Sequence, residues 1–335
     1  MKPITIITTL VVSLLFLANL FVGSVHIPFA ETLAVLTGGE SSHQSWHFII
    51  LQSRLPQAIT ALLCGACLAT SGLLLQTTFH NPLAGPSILG INSGASLGAA
   101  VIMLAGGGSL SIAHFSVSNI LAVVLAALIG SMLVMALLLL LSTIIKNNIL
   151  LLIAGIMIGY LTSSAISLLN FFSTAEGVHS YVIWGLGNFS GVSMHMLPWF
   201  SALCAVGLIM ALLMVKPLNA LLLGHQYAEN LGINIRLTRN LLLIVTGLLT
   251  AVTTAFCGPV AFIGLATPHI ARLLLRNGNH RSLLPLTILS GSAIALLCNL
   301  LCTLPGPAGI IPLNAITPLI GAPVIIYILI KQKLF

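Results

Sequence analysis

Apolar residues fill this chain in ten long blocks, separated by short stretches rich in glycine, proline, asparagine or charge. The blocks are 4–22, 55–77, 88–104, 119–145, 149–171, 197–215, 241–256, 260–275, 283–303 and 316–330. A helix needs about 20 mostly apolar residues to cross roughly 30 Å of hydrocarbon. The pattern therefore predicts ten membrane-spanning helices, the shorter blocks being tilted neighbours inside a bundle. The first block is longer than the roughly 7–15 residue core of a secretory signal and is read as a retained helix. No linker or low-complexity segment divides the chain. The expected fold is all-α and polytopic, one membrane domain over residues 1–335.

Composition points the same way. Hydrophobic residues make up 58% of the chain and charged ones 4%, with a mean hydropathy of +1.17; a water-facing surface cannot be built from so few polar groups. The charges are also partitioned. Threading ten spans puts Lys2, Lys146, Lys216, Arg236, Arg239, Arg272, Arg276, Arg281, Lys331 and Lys333 on one side, together with Glu229. Only Arg54 among the bases lies opposite, with Glu31, Glu40 and Glu176. Basic loops remain cytoplasmic, so both termini are expected there. The net charge of +7 reflects topology and is not read as a nucleic-acid surface.

The missing charges exclude chemistry. An ion-coupled transporter ordinarily carries ionisable groups inside its spans, whereas this chain has no Asp and all four Glu fall in loops. Sodium coordination by backbone carbonyls at unwound helices keeps that class open. A membrane-embedded hydrolase would need a carboxylate pair, a His cluster or an activated nucleophile within the spans, and none occurs. The six cysteines lie within or beside apolar blocks, at spacings that fit packing rather than zinc or a disulfide framework. Six of the ten histidines (His26, His43, His47, His114, His179, His195) fall near the outer face, where interfacial placement accounts for them. Energy for any uphill movement must come from outside the chain.

Small residues mark helix contacts. Gly90, Gly94 and Gly98 recur every fourth residue, as do Gly155 and Gly159, a spacing that lets a second backbone approach closely. Proline and glycine break the later blocks at Gly258-Pro259, Pro268, Pro305-Gly306-Pro307, Pro312, Pro318 and Gly321-Ala322-Pro323. Breaks survive in a bilayer only against protein or a water-filled path. Two connections are long enough to act, an outer one over 25–53 and an inner one over 216–240. In the latter a short helix over 220–231 is expected, stopped by Gly232.

Several segments carry a specific likeness. Arg-Leu-Pro-Gln-Ala-Ile (54–59) leads into Gly-Ala-Cys-Leu-Ala-Thr-Ser-Gly-Leu-Leu-Leu-Gln (65–76), followed by Asn-Pro-Leu-Ala-Gly-Pro-Ser-Ile-Leu-Gly (81–90). Trp-Gly-Leu-Gly-Asn-Phe-Ser-Gly (184–191), Leu-Gly-Ile-Asn (231–234), Gly-Pro-Val-Ala-Phe-Ile-Gly-Leu-Ala-Thr-Pro-His-Ile-Ala-Arg (258–272) and Ile-Pro-Leu-Asn-Ala-Ile-Thr-Pro-Leu-Ile-Gly-Ala-Pro (311–323) come later. In this order the set closely resembles FecCD-type permeases, the membrane subunits of ATP-binding-cassette (ABC) importers for iron chelates, haem and cobalamin.

The resemblance implies a non-catalytic permease of the bacterial inner membrane. It would form a homodimer, bind two cytoplasmic ATP-binding subunits that hold ATP and Mg, and receive cargo from an extracytoplasmic substrate-binding protein. No cofactor or metal is expected in the chain itself. Carried over by residue, Ala228, Glu229, Gly232 and Arg236 resemble the ATPase-coupling segment, Arg54 a docking base for the binding protein, and Asn147 and Asn148, beside Lys146, the cytoplasmic gate. Gln57 stands where the family often has a second arginine. A ferric siderophore or haem is the first cargo expectation and cobalamin the alternative.

Overall fold

The computed structural model describes residues 3–39, 41–105, 117–145, 147–304 and 309–332. Lys2, Glu40, His114, Lys146, Lys333 and the 305–307 run lie outside the described residues. The described residues form fifteen α-helices and one π-helical turn. The first span is α1 (Pro3–Phe21); the outer connection after it holds α2 (Phe29–Leu36) and α3 (Gln44–Phe48), and the π-helical turn Ile49–Arg54 runs into α4 (Leu55–Phe79). Next come α5 (Ile91–Ala105), α6 (Val117–Ile144), α7 (Asn148–Phe172), α8 (Ala175–Gly185) and α9 (Leu197–Leu213). The chain closes with α10 (Val215–Leu221), α11 (His225–Asn230), α12 (Ile235–Cys257), α13 (Ile263–Leu275), α14 (His280–Thr303) and α15 (Leu313–Gln332).

Among the described residues, six segments are long and apolar enough to cross a membrane: α1, the continuous run Gln44–Phe79, α6, α7, α12 and α14. A seventh is the pair α9–α10, bent by 49°, and α5, α13 and α15 are shorter apolar helices. Each of the ten predicted blocks finds its helix in this set. The short ones are short because their blocks open in non-helical backbone: residues 88–90 form a turn before α5, and 258–262 a break before α13.

The bundle is built around α4, 20 of whose 25 residues are buried. By contrast, 17% of the apolar window in α1 and 28% of that in α7 are covered, so these helices present apolar side chains outward, as lipid or partner contact requires. α4 packs on α14, α12, α13 and α9. Side-chain-free patches set the distances. A Cβ on Gly72 of α4 would fall 1.7 Å from the Gly264 carbonyl oxygen of α13, so that crossing is backbone against backbone.

The two glycine series separate into different contacts. Gly94 and Gly98 face α6, where Gly130 and Ala126 meet them; a Cβ on Gly98 would lie 2.0 Å from the Ala126 carbonyl. Gly90 is not on that helix face. It precedes α5 with φ +74° and packs on Gly155 and Gly159 of α7. The expected groove over Gly90, Gly94 and Gly98 is thus corrected to two surfaces, because the left-handed backbone at Gly90 ends the helical register there.

Polar side chains tie the remaining helices in. Asn19 of α1 donates to Leu296 O at 3.0 Å and accepts from Asn299 Nδ2 at 2.7 Å. Gln57 donates to Asn299 Oδ1 at 2.9 Å, so the residue standing in for a family arginine joins α4 to α14. All six cysteines are free and buried, and they belong to the main apolar core.

Candidate functional site

At the end of the bundle carrying Arg236, Arg276 and Arg281, the connection over 216–240 makes an exposed two-helix surface. The single helix expected over 220–231 is instead α10 and α11, divided at Gly224, whose φ of +96° costs little only without a side chain. Gly232 ends α11 as predicted. With φ +80°, its N–H donates to Glu229 O at 2.9 Å while Ile233 N–H reaches back to Ala228 O at 3.0 Å, the paired bonds of a Schellman cap. Ala228 is fully buried under the cap, whereas Glu229 and Arg236 are exposed. Tyr227 and Leu231 stand 68% and 64% exposed, an apolar pair on an otherwise polar turn.

The two asparagines predicted for the gate have partners within the chain. Asn147 caps α7, accepting from Ile149 N at 2.8 Å. Asn148 donates to Thr78 O at 3.0 Å and accepts from Arg239 Nη1 at 3.4 Å. Arg239 also donates to Ser142 O and to Ile145 O, so it closes the carbonyl end of α6. Placed together, these residues bind the ends of α4, α6, α7 and α12.

Arg54 performs the same service at the other end. Expected from the resemblance as a docking base on the outer face, it is 6% exposed. Its Nη1 donates to Leu20 O at 2.9 Å and Phe21 O at 3.0 Å, and its Nη2 to Val25 O. The last carbonyls of a helix have no intrahelical donor, and a buried guanidinium with several fixed N–H groups satisfies them. Nearby, the Ser42 hydroxyl and amide, together with Ser41, hold the Glu31 carboxyl below its usual range.

A polar cleft of about 350 Å³ opens between α5, α7, α8 and the α12–α13 break. Ser87, Asn92, Ser93, Ser96, Ser163, Tyr181 and Asn314 line it, with Pro259, Val260 and Ala261. Ser163 also begins a hollow along α7 that continues over Ser164 and Ser167 to Phe171. On this face the Ser167 hydroxyl donates to Ser163 O at 3.0 Å, a bond that lowers the cost of placing it away from water.

Asn314 holds the cleft together. Its Oδ1 accepts from Ala261 N at 3.1 Å, its Nδ2 donates to Pro259 O at 2.6 Å and Gly185 O at 3.1 Å, and its own N–H donates to Leu186 O at 3.0 Å. These bonds pay for a break whose last residue, Phe262, has φ +66°, a region that non-glycine residues seldom occupy. Sequence reasoning noted the breaks but missed the cleft. Its signal was present: Ser93 and Ser96 at i,i+3, and Ser163 and Ser167 at i,i+4, each pair on one face of an apolar helix.

The described residues thus form a membrane-embedded helical bundle with a capped two-helix turn at one end, broken helices around a cleft, and buried arginines that cap helix ends. The FecCD transport family matches residues 10–331, and the chain belongs to that family. It is the permease subunit of an ABC importer, a multi-pass inner-membrane protein that is not itself catalytic and works with ATPase and binding-protein partners.

Among its relatives is the vitamin B12 import system permease protein BtuC of Klebsiella pneumoniae, 34% identical over 325 residues, covering 97% of this chain and 92% of the relative. The protein of the same name from Salmonella typhi is 35% identical over 287 residues, 84% of each chain. A solved structure described as an inward-facing conformation of a metal-chelate type ABC transporter superposes with a TM-score of 0.85 at 29% identity, covering 99% of this chain and 100% of the other.

Proposed function

We propose that this chain is the permease of a corrinoid importer, acting as a homodimer with two ATP-binding subunits on its basic side and a binding protein on the other. The observation that carries the cargo is the vitamin B12 permease relationship, at 34% identity over 97% of the chain. The cleft supports it, because its polar groups are hydroxyls and amides, set among Ile166, Pro259, Val260 and Ala261, with no charged group among the lining residues. Such a surface offers hydrogen bonds to a neutral, amide-bearing cargo and no counter-charge to an anionic chelate. ATP and Mg belong to the partner subunits, and both termini lie in the cytoplasm by the positive-inside argument.

In this reading the α10–α11 surface docks on the ATPase. Each nucleotide cycle shifts the bundle between outward- and inward-open states through the difference in its affinity for the two. An iron-chelate cargo, the first expectation from the sequence, is now the second reading. The metal-chelate type structure at TM-score 0.85 favours it.

Uptake into liposomes bearing the full complex, with binding proteins loaded in turn with cobalamin, haem and a ferric siderophore, tests the assignment. ATP-dependent uptake confined to cobalamin is expected. Uptake of the iron cargoes alone reverses the cargo, and gradient-driven uptake by the permease without its ATPase overturns the mechanism.

A further inference from the structure

The surface assigned above to the ATPase must act on the rest of the bundle through particular contacts, and one set is chemically distinct from the apolar packing around it. Asn219 lies on α10. Its Oδ1 accepts the backbone N–H of His280 at 2.8 Å and lies 3.1 Å from His280 Nδ1. Because an oxygen already committed as acceptor faces Nδ1, that nitrogen carries a proton and donates.

On the other side of the ring, the unprotonated Nε2 faces the Thr77 hydroxyl at 2.9 Å, in the last turn of α4; Leu73 O also lies 2.9 Å from that hydroxyl, whose single proton serves one of the two acceptors at a time. Asn219 Nδ2 donates to Asn279 Oδ1 at 3.0 Å, and the same oxygen caps α14 by accepting from Arg281 N at 2.9 Å. His280 and Thr77 are buried, at 1% and 5% exposure.

We propose that Asn219, His280 and Thr77 form the link that carries movement of α10 into the central helix, with Asn219 and His280 as positioning residues for transport. The inference rests on the coupling role proposed for α10–α11. Three features of the arrangement argue for it. The chain of bonds grips the inner end of α4 and the start of α14 at once, and these two helices are locked together where Gly65 meets Gly291, so α10 moves them as one body. Buried hydrogen bonds are directional and costly to leave unmade, so the contact resists slippage of α10 against α4 and α14. The joint behind α10 is a 49° bend from α9, and the joint ahead is Gly224 at φ +96°, so α10 is flanked by a turn on each side.

The test uses the complete importer in liposomes, reading cargo moved per ATP hydrolysed for Asn219→Ala, Thr77→Val, the double variant and Gly232→Val, with assembly checked by size exclusion. Asn219→Ala and Thr77→Val are each expected to lower the ratio by about fivefold or more, and the double variant to fall no further than the worse single. If Gly232→Val uncouples while both link variants stay within about twofold of wild type, the link is overturned and the coupling surface stands. Should Gly232→Val also leave the ratio unchanged, the coupling surface itself fails and the link with it. Loss of assembly in every variant makes the cluster a structural clamp and equally overturns the proposal.

Discussion

Gly65 of α4 and Gly291 of α14 meet backbone to backbone: a Cβ on Gly65 would fall 2.2 Å from Gly291 O, and one on Gly291 2.3 Å from Gly65 O. Only separation of the two helices relieves such contacts. Gly65→Ala or Gly291→Ala is therefore expected to cost about 1–3 kcal/mol or more from overpacking. A thermal midpoint in detergent equal to wild type would show that the crossing can open freely.

Asn314 is the next test. Asn314→Ala leaves the Ala261 amide and the Pro259 and Gly185 carbonyls without their side-chain partner, at about 1–3 kcal/mol for each group that stays dry. Asn314→Asp keeps the acceptor toward Ala261 and removes the donors. Thermal midpoints should rank wild type, then Asp, then Ala; equal values would mean water replaces the side chain throughout.

Arg54 is expected to hold the end of α1. Removing the guanidinium in Arg54→Ala forfeits three carbonyl contacts, each roughly 1.5–3 kcal/mol in a charge-assisted bond. Hydrogen exchange at residues 20–25 should quicken while that of α12 is unchanged. Uniform exchange across both regions would remove Arg54 from the capping role.

Gly232 has φ +80° with open space where a Cβ would stand, so strain and not space decides its substitutions. An L-residue there costs about 1–2 kcal/mol, and the β-branched valine more than alanine. Cargo moved per ATP should fall in the order Gly, Ala, Val. The opposite order would argue that the cap geometry is irrelevant to coupling.

Glu31 gives a pH prediction. Its folded pKa is lowered by Ser42 and Ser41, so the order it lends to the outer loop is present above the unfolded value of roughly 4.3. That order is lost as pH falls through the lower folded value. At neutral pH, Glu31→Gln should speed exchange of the Ser42 amide. An unaltered rate would show that the serines order the loop without the carboxylate.

Much of this was legible beforehand, for stated reasons. The ten blocks mapped onto ten helices because lipid imposes a length and a polarity on every span. The cap at Gly232 was readable because a Schellman motif is local, confined to a handful of successive residues. The glycine series was only half readable. Spacing identified small faces, but the turn at Gly90 sends it to α7 while Gly94 and Gly98 go to α6. The capping contacts of Arg54 were not readable, because sequence shows that a base lies at an interface, not whether orphaned carbonyls wait 34 residues away at Leu20.

What the sequence determined by itself was the solvent and the number of crossings, since each follows from composition and order along the chain. What only the tertiary structure decided was which polar side chains meet: Asn314 with Pro259, Arg239 with Ser142, His280 with Asn219 and Thr77. Those pairings span tens to hundreds of residues, and in an apolar bundle a buried donor is costly to leave unpaired, so most find an acceptor wherever packing brings one. Hydropathy records that such groups exist; only the folded geometry chooses their partners.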